Sequence, residues 1–366
     1  MYSQVRGFGI GGGVRVENAL WTGSDATLDL RLAQRRQGIV LAVYTSDPHK
    51  SPVFGLGSVI AETTRRRRYF GVGPFTSAEN RLFLDYASME AEARLGAYPL
   101  GHSGLYVQPS ARLLLDRLKG VEEDQEGALE RLRADDPKSI VAVESVQDMT
   151  RHGVSVGLQL ASDRRDRRSY PRSGSLVSVE ARRFFSTDGS GLRFNRLAVN
   201  TLGYLPIRGR TALVGRTNLV VTRADGDEAI PFYYLPILDA RLLTAYPPDR
   251  FVGRDVLAMG GGIRFPLANI LDVYGVDALV MAYLGNAYND VFDEASAGVS
   301  FRAGSLGEGQ GDRVPFRTAV GIGLGLVNLG DERVVLGGLL GLSPDGLSLA
   351  SLRIAYDLRD ARPLFR

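Results

Sequence analysis

Polar and apolar residues alternate one by one along much of this chain. Near its end, Leu352, Ile354, Tyr356 and Leu358 fall on one side, and Arg353, Ala355 and Asp357 on the other. Helical spacing cannot produce that period of two, whereas an extended strand does. The same reading fits Met89 to Leu95, with Glu90, Glu92 and Arg94 opposed, and Val177 to Ala181, with Ser178 and Glu180 opposed. In Val320 to Leu326, glycines occupy every second position. Further strands are expected at 4–16, 26–33, 39–44, 82–86, 105–115, 140–145, 154–161, 193–202, 211–221, 256–265, 279–287, 298–303 and 333–341. Any one of them reads as the half-solvated strand of an ordinary antiparallel sheet. Their number and length shift the balance, since crossing a bilayer takes about 9–11 tilted residues per strand. The pattern predicts an all-β fold, a transmembrane antiparallel β-barrel of about 16 strands, with a large soluble β protein as the alternative.

Short turns, such as 204–209 and Ser343-Pro-Asp-Gly346, contrast with long polar segments at 48–76, 119–138, 224–239 and 289–297. Barrels of the outer membrane have short turns on one side and longer external loops on the other. Val121 to Arg133 carries charged pairs at helical spacing and predicts one short loop helix. No internal repeat or low-complexity linker marks a second domain, so residues 1–366 are expected to form one barrel.

Composition narrows the chemistry. The 366 residues include 44 glycines and no cysteine, with a formal charge of +3. Without cysteine there is no disulfide framework, thiolate chemistry or cysteine-based metal site. No run of 18 apolar residues is present, so a spanning helix is not expected. His49, His102 and His152 lack metal-ligand spacing, and the adjacent His102 and Ser103 would point to opposite faces of a strand. Neither an enzyme nor a bound metal or cofactor is expected. Arg65-Arg66-Arg67-Arg68 is a basic run on a long loop, but the small net charge argues against a nucleic-acid footprint. Anionic lipid or lipopolysaccharide phosphate suits it better. Residues 1–6 show neither the basic nor the apolar region of a signal peptide. Since such a barrel must be exported, Met1 reads as the start of a mature chain or of a truncated gene.

Between two strand-like segments stands Asp163-Arg-Arg165-Asp166, followed by Pro171-Arg-Ser-Gly174. This D-x-R-D then P-x-x-G hairpin resembles a signature of outer-membrane assembly barrels of the BamA and TamA type, also called bacterial surface antigens. Asp163 and Arg165 share one side of a strand and are expected to pair across the lumen. Tyr69-Phe70-Gly71-Val72-Gly73, followed by Asp85-Tyr86, is similar to an aromatic-Gly-x-Gly segment of the same group. A third block, with Tyr246, Arg250-Phe251-Val-Gly253 and Ile263-Arg264-Phe265-Pro266, frames the region of the family's inward-folded loop. Its tip departs from the pattern: Thr244 stands where the family has arginine, Ala245 where it has glycine, and Gly262 where the strand glutamate is expected. Loss of the arginine together with one carboxylate makes physical sense, because a buried arginine without its partner costs several kcal/mol. The internal lock is thus lost or rebuilt. Val5-Arg6-Gly7-Phe8 lies on the first strand and is read as coincidence.

Gly7, Gly9, Gly11, Gly12 and Gly13 weaken the packing of that first strand. Gly7, Gly9 and Gly12 also match a G-x-G-x-x-G dinucleotide fingerprint, but no βαβ unit follows. The resemblance implies a gate between the first and last strands, with Tyr356 on the latter, that pairs with incoming strands. It therefore implies a bacterial outer-membrane protein, without POTRA modules in this chain, that assists insertion or translocation of other proteins. Expected partners are outer-membrane lipid, lipopolysaccharide, unfolded outer-membrane proteins and a separate periplasmic protein. The alternatives are a passive pore or structural surface antigen and, further off, a barrel hydrolase using His102.

Overall fold

The computed structural model describes the chain except for residues 1, 4–6, 21, 46–52, 75, 77–80, 100–103, 120–124, 136–148, 168–169, 227, 239–244, 247–248, 271–272, 297–298, 302–313, 331–332, 344–345 and 355–366. The described strands join into one 17-stranded sheet. They are β1 (Tyr2–Ser3), β2 (Gly7–Glu17), β3 (Ser24–Ala33), β4 (Arg36–Thr45), β5 (Val53–Tyr69), β6 (Leu82–Ala97), β7 (Leu105–Lys119), β8 (Met149–Asp163), β9 (Gly174–Ser186), β10 (Arg193–Arg208), β11 (Thr211–Ala224), β12 (Asp255–Ile270), β13 (Tyr274–Tyr288), β14 (Val299–Phe301), β15 (Val314–Asn328), β16 (Arg333–Ser343) and β17 (Gly346–Ile354). From β2 to β13, and on through β15, β16 and β17, each strand pairs antiparallel with its sequence neighbour. The short β14 lies parallel to β15 as a side pairing. Such a meander needs only local hairpin connections, which is what closely spaced alternating segments favour.

Each strand sorts its side chains by parity. In β6, Leu82, Leu84, Glu92 and Arg94 are buried, whereas Met89 and Leu95 point away from the interior. On the outer face, Ile10, Leu30, Leu41, Leu113, Leu158, Leu213, Val280 and Ile322 form an exposed apolar band carried from strand to strand. Leu113 is 59% exposed and Ile10 77%. Water does not favour so continuous an apolar surface, whereas hydrocarbon does. No helix among the described residues is long and apolar enough to cross a membrane.

Antiparallel order gathers the connections 70–81, 120–148, 225–254 and 289–313 at one end of the sheet. The opposite end has 18–23, 98–104, 164–173, 209–210 and 271–273. Helix α1 (Glu126–Asp135) overlaps the predicted helical patch and runs two residues past its end, and a second helix, α2 (Val291–Ser296), follows β13. Three expectations are corrected. Residues 53–69 form β5 instead of a loop, so Arg65 to Arg68 sit on a strand. The polar run hid β5 because a strand with a polar lumen on one side and a membrane rim at its end has no clean apolar face. Residues 82–86 and 89–95 are one long strand, β6. The turn expected at 204–209 shrinks to Gly209–Arg210, since β10 continues to Arg208 through a bulge near Pro206. The strand expected at 140–145 lies outside the described residues.

The interior is filled from the long-connection end. Ile230, Phe232, Tyr234, Leu235 and Val252 of the 225–254 connection pack with Tyr69, Leu82, Leu84, Leu118, Phe184 and Phe194 of the wall and Leu132 of α1. Phe184 stacks on Phe194 at 4.7 Å, and Tyr69 meets Phe232 at 4.4 Å. These contacts place the connection inside the sheet's curve.

Candidate functional site

The hairpin motif sits at the short-connection end, between β8 and β9. The Asp163 carboxylate accepts both Nε and Nη2 of Arg165, each at 2.8 Å. The pair therefore closes locally, two residues apart, and the expected bridge across the lumen is replaced by a forked contact. Asp166 caps the turn instead: its Oδ1 accepts the backbone N–H of Arg167, Arg172 and Ser173 at 2.9, 2.9 and 3.2 Å. Gly174 has φ +93°, and a Cβ there would lie 2.1 Å from the Arg164 carbonyl oxygen. Only glycine suits both the left-handed backbone and the close approach.

The turn so held inserts Tyr170 and Pro171, both buried, against β12 and β13. Tyr170 donates its hydroxyl to Asp277, which also binds Arg210. Arg264 donates to the Pro171 carbonyl and lies 3.8 Å over the Tyr170 ring. Arg264 thus joins the hairpin motif to the motif on β12, which lies about a hundred residues on in the sequence. Tyr170, Arg210 and Asp277 were not recognised from sequence, because their meeting depends on strands distant along the chain.

At the other end, the 225–254 connection doubles back on itself, with Ile237 bridged to Val252. Ala245, Tyr246 and Phe251 are buried with Val256, Ala258, Met281, Tyr283 and Ala319. Tyr246 donates its hydroxyl to the Thr318 carbonyl at 3.2 Å. Gly262 faces this cluster, where a Cβ would meet Met281 and the Val280 carbonyl. An apolar contact therefore occupies the wall where the family pattern has a glutamate. Thr244 lies outside the described residues.

Arginine still anchors the loop, from other positions. Arg250 donates to the Thr76 hydroxyl at 2.8 Å and its carbonyl at 2.7 Å, and lies 4.9 Å over Phe70. This ties Arg250 and Phe251 to the aromatic-Gly-x-Gly segment, where Gly73 donates its N–H to the Val252 carbonyl at 2.7 Å. Gly253 presses on β13, where a Cβ would lie 2.6 Å from the Tyr288 carbonyl oxygen. From the wall, Arg317 stands over Phe251 at 5.3 Å, Arg196 donates to the Tyr234 carbonyl, and Arg67 pairs with Asp249 at 3.5 Å. Below the loop, Glu92 accepts Arg94, Arg112 and Arg182 at 2.9, 3.1 and 3.3 Å, a hub linking β6, β7 and β9. The alternation of β6 made Glu92 and Arg94 visible in the sequence, but not Arg112 and Arg182, which come from other strands.

Gly9, Gly11 and Gly12 of β2 pair with β3. On its other side, β2 pairs at Gly7 and Phe8 with the two residues of β1, which lies beside β17. Among the described residues, only the two-residue β1 lies between β2 and β17, and no ladder joins β2 to β17 directly. Tyr356 lies outside the described residues.

No protein-family model and no curated protein sequence matches the chain. Solved structures do. BamA from Haemophilus ducreyi, in a form lacking POTRA domains 1–3, superposes with a TM-score of 0.63 at 14% identity, covering 97% of this chain and 66% of that one. CdiB from Escherichia coli gives 0.55 at 9% identity, with 96% and 59% covered. CdiB from Acinetobacter baumannii gives 0.52 at 9%, with 96% and 56% covered. The chain thus spans less than two thirds of the length of each of these three structures. Its fold is that of the barrel domain of BamA-type proteins.

Proposed function

We propose that this chain is an integral barrel of the bacterial outer membrane that assists insertion or translocation of other proteins at the edge between β2 and β17. The observation that carries this reading is the seam of the sheet, where among the described residues only the two-residue β1 lies between the glycine-rich β2 and β17, in a fold shared with BamA and CdiB barrels. An unpaired strand edge offers a row of backbone donors and acceptors to another extended chain, and hydrocarbon makes leaving them unpaired costly. The partners of this reading are unfolded outer-membrane proteins, delivered by a separate periplasmic protein. The role is one of templating, without catalysis and without a cofactor.

A second reading, a passive pore or structural surface antigen, draws on the rebuilt loop contact: Gly262 stands where the family pattern has a glutamate and sits against Met281 of the apolar cluster that holds Ala245. One experiment separates them. The folding rate of an unrelated outer-membrane barrel is measured in liposomes with and without this protein, and with a variant in which engineered cysteines tie β2 to β17. Acceleration that vanishes on oxidation supports the seam reading. No acceleration by the folded protein supports the passive barrel.

A further inference from the structure

The outer face of β5, β6 and β7 changes character abruptly at the long-connection end. On β7, Leu113 and Leu115 are exposed in the apolar band, and the next two outward positions are Arg117 and Lys119. Outward residues on a strand are about 7 Å apart, so the charges begin one step beyond the hydrocarbon surface. On β6 the sequence of outward positions runs from Met89 through Ala87 and Asp85 to Phe83. Register places Lys119 opposite Asp85, and Arg68 of β5 opposite Phe83. A bulge between Thr64 and Arg67 frees the alternation of β5 at this point. There Arg66, with φ +54°, donates its backbone N–H to Asp85 at 2.9 Å and lays its guanidinium 4.6 Å from the Phe83 ring centre. Arg81, just before β6, lies over the same ring at 5.0 Å.

One aromatic ring at the edge of the apolar band therefore carries two guanidinium groups, with a third arginine across the strand and two more cations on β7. Among the described outward positions of this patch, Asp85 is the acidic residue. Arg66 and Arg81 bring like charges to one ring, an arrangement that an anion bound between them relieves. The side chains suit the depth: an aromatic body rests at the interface while long basic side chains reach the headgroups.

We propose that Arg66, Arg68 and Arg81, grouped around Phe83, bind the phosphates of lipid A, the glycolipid anchor of lipopolysaccharide in the outer leaflet. The source follows from the end of the barrel on which the site lies. Long connections mark the external side of such barrels, and guanidinium forks match phosphate oxygens. This site rests on the membrane reading above but not on the insertion activity.

The test uses the whole chain. Entry into vesicles is read first, from the changed gel mobility of unheated, folded barrel. Binding of labelled lipid A is then titrated in neutral micelles, with dephosphorylated lipid A and phosphatidylglycerol as competitors. In the variant Arg66→Gln/Arg68→Gln/Arg81→Gln, affinity is expected to fall on the order of 100-fold, at about 1 kcal/mol per cation. Arg81→Gln alone, outside the sheet ladder, should lose about fivefold, which keeps the test usable if the triple variant misfolds. Arg164→Gln/Arg208→Gln, at the other end, should bind as the parent does. Equal binding by the parent, the triple variant and Arg81→Gln would overturn the site. So would equal competition by phosphatidylglycerol or dephosphorylated lipid A. A chain that never shows the folded band refutes the membrane reading itself, whereas a folded chain indifferent to phosphate refutes this site alone.

Discussion

Single residues decide the short-connection end. Asp163 and Arg165 bury both charges in one forked contact, each side chain 3% exposed. Removing one partner leaves the other charge uncompensated, which costs roughly 3–5 kcal/mol. Arg165→Ala is accordingly expected to lower the urea midpoint of the refolded barrel far more than Arg167→Ala, whose side chain is not part of that fork. Gly174→Ala should destabilise by roughly 1–3 kcal/mol through backbone strain, with added cost from the clash at Arg164. The same unfolding curves check both. The charges of this motif were legible in the sequence, and so was its turn. Their pairing was not, because period-two placement fixes a shared face and leaves open whether a carboxylate reaches across the lumen or along its own strand.

Elements account for the loop and its anchors. The 225–254 connection is held by Arg250 from within and by Arg67, Arg196 and Arg317 from the wall. Arg250→Ala should loosen it from the 70–76 segment without unfolding the sheet. The expected result is faster protease cleavage within 225–254 and a larger single-channel conductance, with the unheated gel band unchanged. A second anchor lies in the turn from β9 to β10. Burial alone would raise the Asp188 carboxyl, but the hydroxyl and N–H of Ser190 and the Arg151 guanidinium outweigh it and hold it below the usual carboxylate range. A depressed folded value means that this contribution to stability is complete above about pH 4 and fades as pH falls through the folded value. Unfolding at pH 5 and at pH 2.5 should therefore differ less in Asp188→Asn than in the parent.

At the scale of the whole molecule, connections fold inward at both ends of the sheet, and among the described residues its first and last full strands are joined only through the two-residue β1. The 225–254 loop fills the long-connection end, and the Tyr170 hairpin closes on β12 and β13 at the other. Tying β2 to β17 should abolish assisted folding while leaving these contacts, and hence the barrel's own stability, in place. Liposome folding rates and urea midpoints measured on the same oxidised sample check the two halves of that statement.

The sequence by itself determined the antiparallel strands, the loop helix and the two-faced pattern, because each follows from contacts between residues close along the chain. It failed at β5, where Arg65 to Arg68 masked a strand whose outward end meets a polar rim. It also left open how the missing loop arginine is compensated. Only the tertiary structure decided that: the curved sheet brings Gly262, Met281 and Ala319 under Ala245 and Phe251, and carries Arg264 to the Pro171 carbonyl. Those meetings depend on strand order and register summed around the barrel, which no local pattern contains.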